Sequence, residues 1–255
     1  MDFSGKSVLV TGASRGIGYG IAKAFALAGA DLTILADDPE TEKAAEALSE
    51  LCGRPVGALV ADIADRDAVK ASVGGFEKID VLINNAGLEL ITPFDEEGDE
   101  VENTFRRIVD INVNGSFFVT REAVPRIPDG GRIIFTASVW GKSAEAGFAA
   151  YCASKHAVIG LARTLAKELG PRNITVNAVC PGWVKTVASM RSLGRMASRH
   201  GRDEQALLDD IVATQAIGGL MEPDDVAAPY LFLASEAAAN ITGQALNIDR
   251  GELMA

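Results

Sequence analysis

Short apolar runs alternate with helical stretches along the whole 255-residue chain, and this alternation restricts the fold more than any other feature. The runs fall at 7–11, 31–36, 56–60, 80–84, 131–137, 174–180 and 245–249; helical patterns occupy 16–29, 40–51, 65–75, 100–126, 149–169 and 223–235. Strands separated by helices of this length join as parallel neighbours through right-handed crossovers. Val81 to Ile83 and Ile133 to Phe135 are continuously apolar, as strands are when helices cover both sheet faces. The sequence therefore predicts an α/β architecture, a doubly wound seven-stranded parallel sheet with helices on both faces, forming one domain over 1–255. In such a sheet, ligands collect beyond the carboxyl ends of the strands. Thr11, Asp37, Asp62, Asn85, Ser138 and Pro181 all sit at or just after strand ends.

Two motifs fall in that crevice. The first strand enters Gly12, Ala13, Ser14, Arg15, Gly16, Ile17 and Gly18, and a helical pattern follows. Strand, glycine turn and helix together let backbone approach a pyrophosphate, which rests on the helix N-terminus. The spacing is G-x-x-x-G-x-G rather than G-x-G-x-x-G. The second motif is Tyr151 and Lys155, four apart on a predicted helix and so on one face. An adjacent ammonium favours ionisation of a phenol. Lowering its free pKa of about 10 by roughly three units needs about 4 kcal/mol, within reach of one partly dried cation. A phenol titrating near neutrality serves as acid or base for a carbon-bound hydroxyl.

Composition removes other classes. A formal net charge of −11 argues against nucleic acid and anionic membrane as partners. No run approaches the ~18 apolar residues of a membrane span, and the N-terminal residues lack a signal-peptide pattern, so a cytoplasmic location is expected. Cys52, Cys152 and Cys180 form no C-x-x-C pair, and His156 and His200 are the only histidines. Neither a disulfide framework, a metal site nor a Ser-His-Asp hydrolase is indicated.

Read in order, Thr11 to Gly18, Asp62, Asn84 to Gly87, Asn112, Ser138, Tyr151, Lys155 and Pro181 with Gly182 resemble the short-chain dehydrogenase/reductase family in its ~250-residue, Rossmann-like form. The resemblance covers nearly the whole chain. It implies a nicotinamide dinucleotide on Gly12, Ser14, Arg15, Gly16, Ile17 and Gly18, with Asp37 accepting from the adenosine ribose and Asp38 capping the next helix. Asp62 and Ile63 would meet the adenine, although Asp62 equally suits a turn or cap. Asn85, Ala86 and Gly87 would pass the ribose, while Asn84 ties neighbouring strands. Pro181, Gly182, Val184 and Thr186 would flank the nicotinamide. Arg15 resembles the basic residue that meets a 2′-phosphate in NADP enzymes of the family. Against it, a carboxylate about 4 Å from a phosphate charge costs on the order of 4 kcal/mol at an effective dielectric of 20. One exposed arginine returns about 1 kcal/mol. NAD is expected, rather than NADP.

The resemblance makes Tyr151 the general acid/base, Lys155 its pKa modulator and ribose ligand, and Ser138 the residue that positions the substrate oxygen. Asn112, with Asn114 as competitor, would interrupt a helix and hold a water linking Lys155 to solvent. Residues 184–220 would be a substrate lid carrying Arg191, Arg195, Arg199 and Arg202, or else an ordinary helical hairpin. Glu89, Trp140, Phe148 and Trp183, with Ser138 and Tyr151, are the candidate substrate contacts, and their mixture suits a sugar, polyol or hydroxy acid. Glu89, Trp140 and Phe148 stand where hydroxybutyrate dehydrogenases of the family carry Gln, His and Lys. Two other readings remain: an NADP-dependent 3-oxoacyl-carrier-protein reductase, and a dinucleotide sensor without turnover. Family members are mostly homotetramers, and most end on Asp-Gly-Gly where this chain has Asp249, Arg250 and Gly251.

Overall fold

The computed structural model describes residues 1–96 and 98–254; Glu97 and Ala255, within the expected 1–255 domain, lie outside the described residues. Seven strands form one sheet in the order β3-β2-β1-β4-β5-β6-β7, every pair parallel. They are β1 (Ser7–Thr11), β2 (Asp31–Ala36), β3 (Gly57–Val60), β4 (Val81–Asn84), β5 (Arg132–Thr136), β6 (Thr175–Pro181) and β7 (Ala245–Ile248). Strand order reverses between β1 and β4, so a crevice opens there at the carboxyl ends. This is the Rossmann-like arrangement expected.

Nine α-helices accompany the sheet among the described residues. They are α1 (Gly16–Leu27), α2 (Glu40–Cys52), α3 (Arg66–Val73), α4 (Asp99–Val109), α5 (Ser116–Ala123), α6 (Ala149–Leu169), α7 (Val187–His200), α8 (Glu204–Ala213) and α9 (Ala227–Ala234). The period-2 strand pattern sorts them into two layers. Val8 and Val10 point into a core with Ile21, Phe25 and Leu48 of α1 and α2 and Tyr230 of α9. Leu9, between them, points into the opposite core with Val69, Val119 and Val158 of α3, α5 and α6. No helix among the described residues is long and apolar enough to cross a membrane.

Local chemistry sets the helix ends. Asp65 accepts from the amides of Asp67 and Ala68 at the start of α3, and Asp203 does the same for Gln205 and Ala206 of α8. Gly53 and Gly201 end α2 and α7 in the left-handed conformation.

One helical expectation needs correction. The predicted helix over 100–126 is α4 and α5 joined by a π turn at Asp110–Gly115, then a short 3-10 turn. There Gly115 lets Ile63 approach so closely that a Cβ would lie 2.7 Å from Ile63 Cγ1. Residues 184–220, expected as a substrate lid or a helical hairpin, contain two helices. Thr186 and Ser189 form a capping box that starts α7, and its inner face packs Leu193, Met196 and Ala197 against Phe148, Trp183 and Leu207. This segment is a helical hairpin closed at its base, where Val184 bridges Met221 and the Lys185 amide donates to the Met221 carbonyl at 2.7 Å.

Helix α1 lies close to the turn before α9: a Cβ on Gly20 would sit 2.7 Å from the Pro223 carbonyl oxygen. Gly20→Ala gains about 1 kcal/mol of helix propensity and pushes backbone against backbone, which costs about 1–3 kcal/mol. The contact wins, so urea denaturation is expected to show a net loss of stability; a variant as stable as the parent would contradict this packing.

Candidate active site

The crevice beyond β1, β4, β5 and β6 is a cleft of about 560 Å³. Its floor begins at the glycine turn. Gly12 and Gly16 take φ of 65° and 57°, the left-handed region that glycine enters without strain. A Cβ on Gly12 would meet Ala86 Cα at 2.5 Å, and one on Gly18 would overlap the Gly12 carbonyl. Gly16 faces the cleft more openly, its nearest neighbour being Thr186 at 3.5 Å. The first turn of α1 receives no side-chain cap, so its N–H groups remain available to an anion. Glycine cradle, uncapped helix N-terminus and strand-end cleft together fit a nicotinamide dinucleotide.

Of the expected cofactor residues, Ser14, Arg15, Ile17, Asp37, Asp62, Ile63, Asn85, Ala86, Gly87, Gly182, Val184 and Thr186 also line the cleft; Pro181 ends β6 and does not. Several of them have structural duties that the sequence did not show. Asp38 Oδ1 accepts from the Glu40 amide, supporting the start of α2, while Oδ2 accepts from Ser14 Oγ at 3.0 Å and Arg15 Nη1 at 2.8 Å. Arg15 is thus committed to a carboxylate. Asp37 is exposed at the tip of β2 and has no hydrogen bond or ion pair among the described residues.

Asp62 lines the cleft but its carboxylate also accepts from Arg107 at 2.6 Å and from the Ala64 amide at 2.9 Å. Burial alone would raise its pKa; the Arg107 hydrogen bond, the Ala64 amide and the Arg107 charge outweigh this and hold it below the usual value. Asn84 donates to Thr120 of α5 at 2.9 Å, so it ties β4 to a helix rather than to a neighbouring strand. Asn85 is the residue that bridges strands. Its Nδ2 donates to the carbonyls of Thr11 and Gly12, its Oδ1 accepts from Thr136 Oγ1, and its amide donates to Thr11 Oγ1.

Ser138, Tyr151 and Lys155 come together at the inner end of the cleft. Ser138 Oγ accepts from the Trp140 amide at 3.2 Å. Lys155 corrects the sequence expectation. Its ammonium lies 5.5 Å from the Tyr151 ring centroid and donates to the Thr136 carbonyl at 2.7 Å. The Tyr151 phenol is raised rather than lowered: burial pushes it up, the Glu89 charge adds to this, and the nearby Ser138 hydroxyl opposes it. Burial pushes Lys155 down to about 8.

Asn112 lies behind the cleft in the π turn, with 1% of its surface exposed. Its Oδ1 accepts from the Leu88 amide at 2.7 Å, and its Nδ2 donates to the Leu88 carbonyl and to Ser154 Oγ. It clamps the 87–89 backbone; Asn114 instead bonds Asp110.

At the substrate end, Glu89, Trp140 and Trp183 line the cleft, and the two indoles meet edge to face at 6.1 Å. Phe148 does not line it. That ring is fully buried, 4.8 Å behind Trp140, and supports the wall. Burial raises the Glu89 carboxyl, opposed by Ser192, Arg191 and Arg195 of α7. Residues 187–189 and Arg191 of the helical hairpin complete the wall, with Arg191 donating to the Glu89 carbonyl at 2.8 Å. Sequence reasoning missed Thr136 and named Arg191 only as one of four lid arginines. Thr136 ends β5, the position rule that found Ser138; Arg191 follows a capping box that marks α7.

Lys155 has a pH consequence. Its folded-state pKa lies below the unfolded value of about 10.4, so between about pH 8 and pH 10 the unfolded chain binds the extra proton and stability rises with pH. The raised thiols of Cys152 and Cys180 work in the opposite sense, so the comparison must be with Lys155→Met. In urea melts at successive pH values the parent is expected to gain on the order of 1–3 kcal/mol relative to that variant across the window. Parallel curves would show that Lys155 is not buried as a cation.

The family model described as enoyl-(acyl carrier protein) reductase matches residues 12–252. The oxidoreductase UcpA of Escherichia coli strain K12 is 36% identical over 260 residues, covering 98% of this chain and 95% of that protein. The D-beta-hydroxybutyrate dehydrogenase of Cupriavidus necator is 34% identical over 255 residues, covering 97% and 98%. Among solved structures, L-sorbose reductase from Gluconobacter frateurii, complexed with NADPH and L-sorbose, superposes with a TM-score of 0.90 at 29% identity over 100% of this chain and 99% of that one. With its sheet order, glycine turn and Ser-Tyr-Lys cleft, the chain belongs to the short-chain dehydrogenase/reductase family, whose members here are oxidoreductases of alcohols and ketones.

Proposed function

We propose that this chain is an NAD-dependent oxidoreductase that interconverts a secondary alcohol and its ketone on a small hydroxylated substrate, a sugar, polyol or hydroxy acid. The observation that carries the reading is the convergence of Ser138, Tyr151 and a buried Lys155 in one strand-end cleft. The nicotinamide, when bound, supplies the hydride chemistry. The protein manages the proton and the geometry. Tyr151 gives its phenolic proton to the carbonyl oxygen in reduction and takes the hydroxyl proton in oxidation. Ser138 Oγ, fixed by the Trp140 amide, orients the substrate oxygen. The indoles of Trp140 and Trp183 offer apolar faces to carbon, and Glu89 offers an acceptor to neighbouring hydroxyls.

Charge supports NAD. A 2′-phosphate near the tip of β2 would face Asp37, at a cost on the order of 4 kcal/mol if about 4 Å away. The Arg15 charge that could answer it is already paired with Asp38. The NADPH in L-sorbose reductase belongs to that protein. Initial rates at 340 nm over a panel of sugars, polyols and hydroxy acids test the whole reading. NAD is expected to exceed NADP at least tenfold in kcat/KM, and Tyr151→Phe to lose about 10²–10⁴-fold in turnover while still binding NAD. An NADP preference would refute the cofactor assignment, and a Tyr151→Phe enzyme within tenfold of the parent would refute the mechanism.

The raised Tyr151 phenol gives the two directions different pH profiles. Reduction uses the protonated form, already the populated one through neutral pH. Oxidation needs the deprotonated form, whose fraction grows with pH. Oxidation rates are expected to climb from about pH 7 to about pH 10 while reduction stays flat or falls. Coincident profiles would contradict the assignment of the proton to Tyr151.

A further inference from the structure

Arg250 occupies the left-handed region with φ 55°, which among the other described non-glycine residues only Asn173 shares. Glycine takes this conformation without strain, and a side chain held there signals that its surroundings over-determine it. The residue lies in the turn after β7. Asp249 fixes that turn, accepting from the Gly251 amide at 3.0 Å and the Leu253 amide at 2.9 Å.

One side of the turn supports the cleft. The Gly182 amide donates to the Ile248 carbonyl at 3.0 Å, and a Cβ on Gly182 would lie 2.9 Å from Asp249 Cβ and from Glu252 Oε2. Gly182 itself lines the cleft beside Trp183. The other side holds the limb by which the α7–α8 hairpin returns to the sheet. Ile217 donates its amide to the Arg250 carbonyl at 2.9 Å, and Arg250 Nη1 donates to the Gly218 carbonyl at 2.9 Å. The fit is close, since a Cβ on Gly219 would be 3.3 Å from Nη1. The same two segments carry Gln215 Oε1 and Nε2, Arg250 Nε and Glu252 Oε2, all buried with no hydrogen-bond partner among the described residues. Native interiors keep few such groups, so this junction is held by the few bonds it has.

We infer that Arg250 is a positioning residue: its guanidinium latches residues 216–219 to the turn behind Gly182 and so sets the stance of the hairpin over the substrate end of the cleft. A glycine would fit the backbone better but would leave residues 216–219 only the Ile217 main-chain bond to this turn. The consequence for turnover rests on the alcohol–ketone reading above; the latch itself does not.

Arg250→Gly and Arg250→Ala separate the contact from the backbone strain, because both remove the guanidinium and only the first relieves φ. Amide hydrogen exchange of 216–220 and steady-state kinetics are measured on both, as full-length chains. Exchange at Ile217, Gly218 and Gly219 is expected to rise at least tenfold in both variants, with β1, β4 and β5 unchanged. KM for the substrate is expected to rise about fivefold or more, with KM for NAD and kcat within about twofold. Exchange at 216–220 within twofold of the parent in Arg250→Gly would overturn the latch. So would a rise seen in Arg250→Ala alone, which would assign the effect to strain, or an equal rise through the whole chain. A parent with no turnover on any alcohol tested would count against the proposed function, and the exchange data would still decide the latch.

Discussion

The carboxamide of Asn85 locks the carboxyl ends of three strands into one rigid edge, and the cleft depends on it. Its nitrogen donates to the last carbonyl of β1 and the first of the glycine turn, and its oxygen accepts from Thr136 at the end of β5. Thr136 then works from both ends. Its hydroxyl meets Tyr230 of α9 at 2.8 Å, and its carbonyl holds the Lys155 ammonium. One hydrogen-bonded chain thus runs from the glycine turn to the Lys155 ammonium. These are mostly buried or half-buried bonds, where a lost partner costs about 1–3 kcal/mol because the remaining group cannot reach water. Strand ends tied in this way, with Lys155 of α6 fastened to one of them, have a precision that loops lack.

The parts of the molecule that the sequence showed clearly are those governed by short-range rules. Strand runs follow burial on both faces, and helix α6 matches its predicted bounds because its apolar stripe is long. Ser138 and Tyr151 follow from strand-end position and helical spacing. The misread features depend on contacts between distant segments. The π turn at Asp110–Gly115 exists where Asn112 clamps Leu88 and Gly115 admits Ile63, contacts 24 and about 50 residues away in sequence. Helix α7 has an ordinary capping box, but its arginine-rich outer face hid the apolar stripe of Leu193, Met196 and Ala197. Phe148 stands beside the catalytic helix in sequence, yet its ring packs inward, because a bulky apolar group there stabilises the wall more than it would lining a polar cleft.

Asp38 shows how one carboxylate can influence cofactor choice indirectly. It caps α2, ties down Ser14, and neutralises the cation that would otherwise favour a second phosphate. The Arg15 ion pair is exposed, so as a stability element it is worth little. Its effect is instead on the local field. Two carboxylates and one engaged arginine leave the tip of β2 negative, which suits ribose hydroxyl donors and opposes a phosphate dianion. Sequence reasoning weighed Asp37 against Arg15 as independent residues; in the fold a third residue settles how much of the arginine is left to act.

Burial acts on Tyr151 and Lys155 in opposite directions, since it penalises whichever form is charged. It raises the Tyr151 phenol and lowers the Lys155 ammonium, so both neutral forms are favoured over their values in water. A neutral tyrosine is the proton donor that carbonyl reduction requires. Alcohol oxidation asks for the phenolate, and the Thr136 carbonyl holds the ammonium, which lies 5.5 Å from the ring centroid. The Glu89 charge adds to the cost of that phenolate. The arrangement of β5, α6 and the 87–89 backbone therefore makes the protonated tyrosine the resting form. Any group that draws Lys155 off the Thr136 carbonyl toward the phenol oxygen would shift the balance toward oxidation, because the cation would then stabilise the charge that burial opposes.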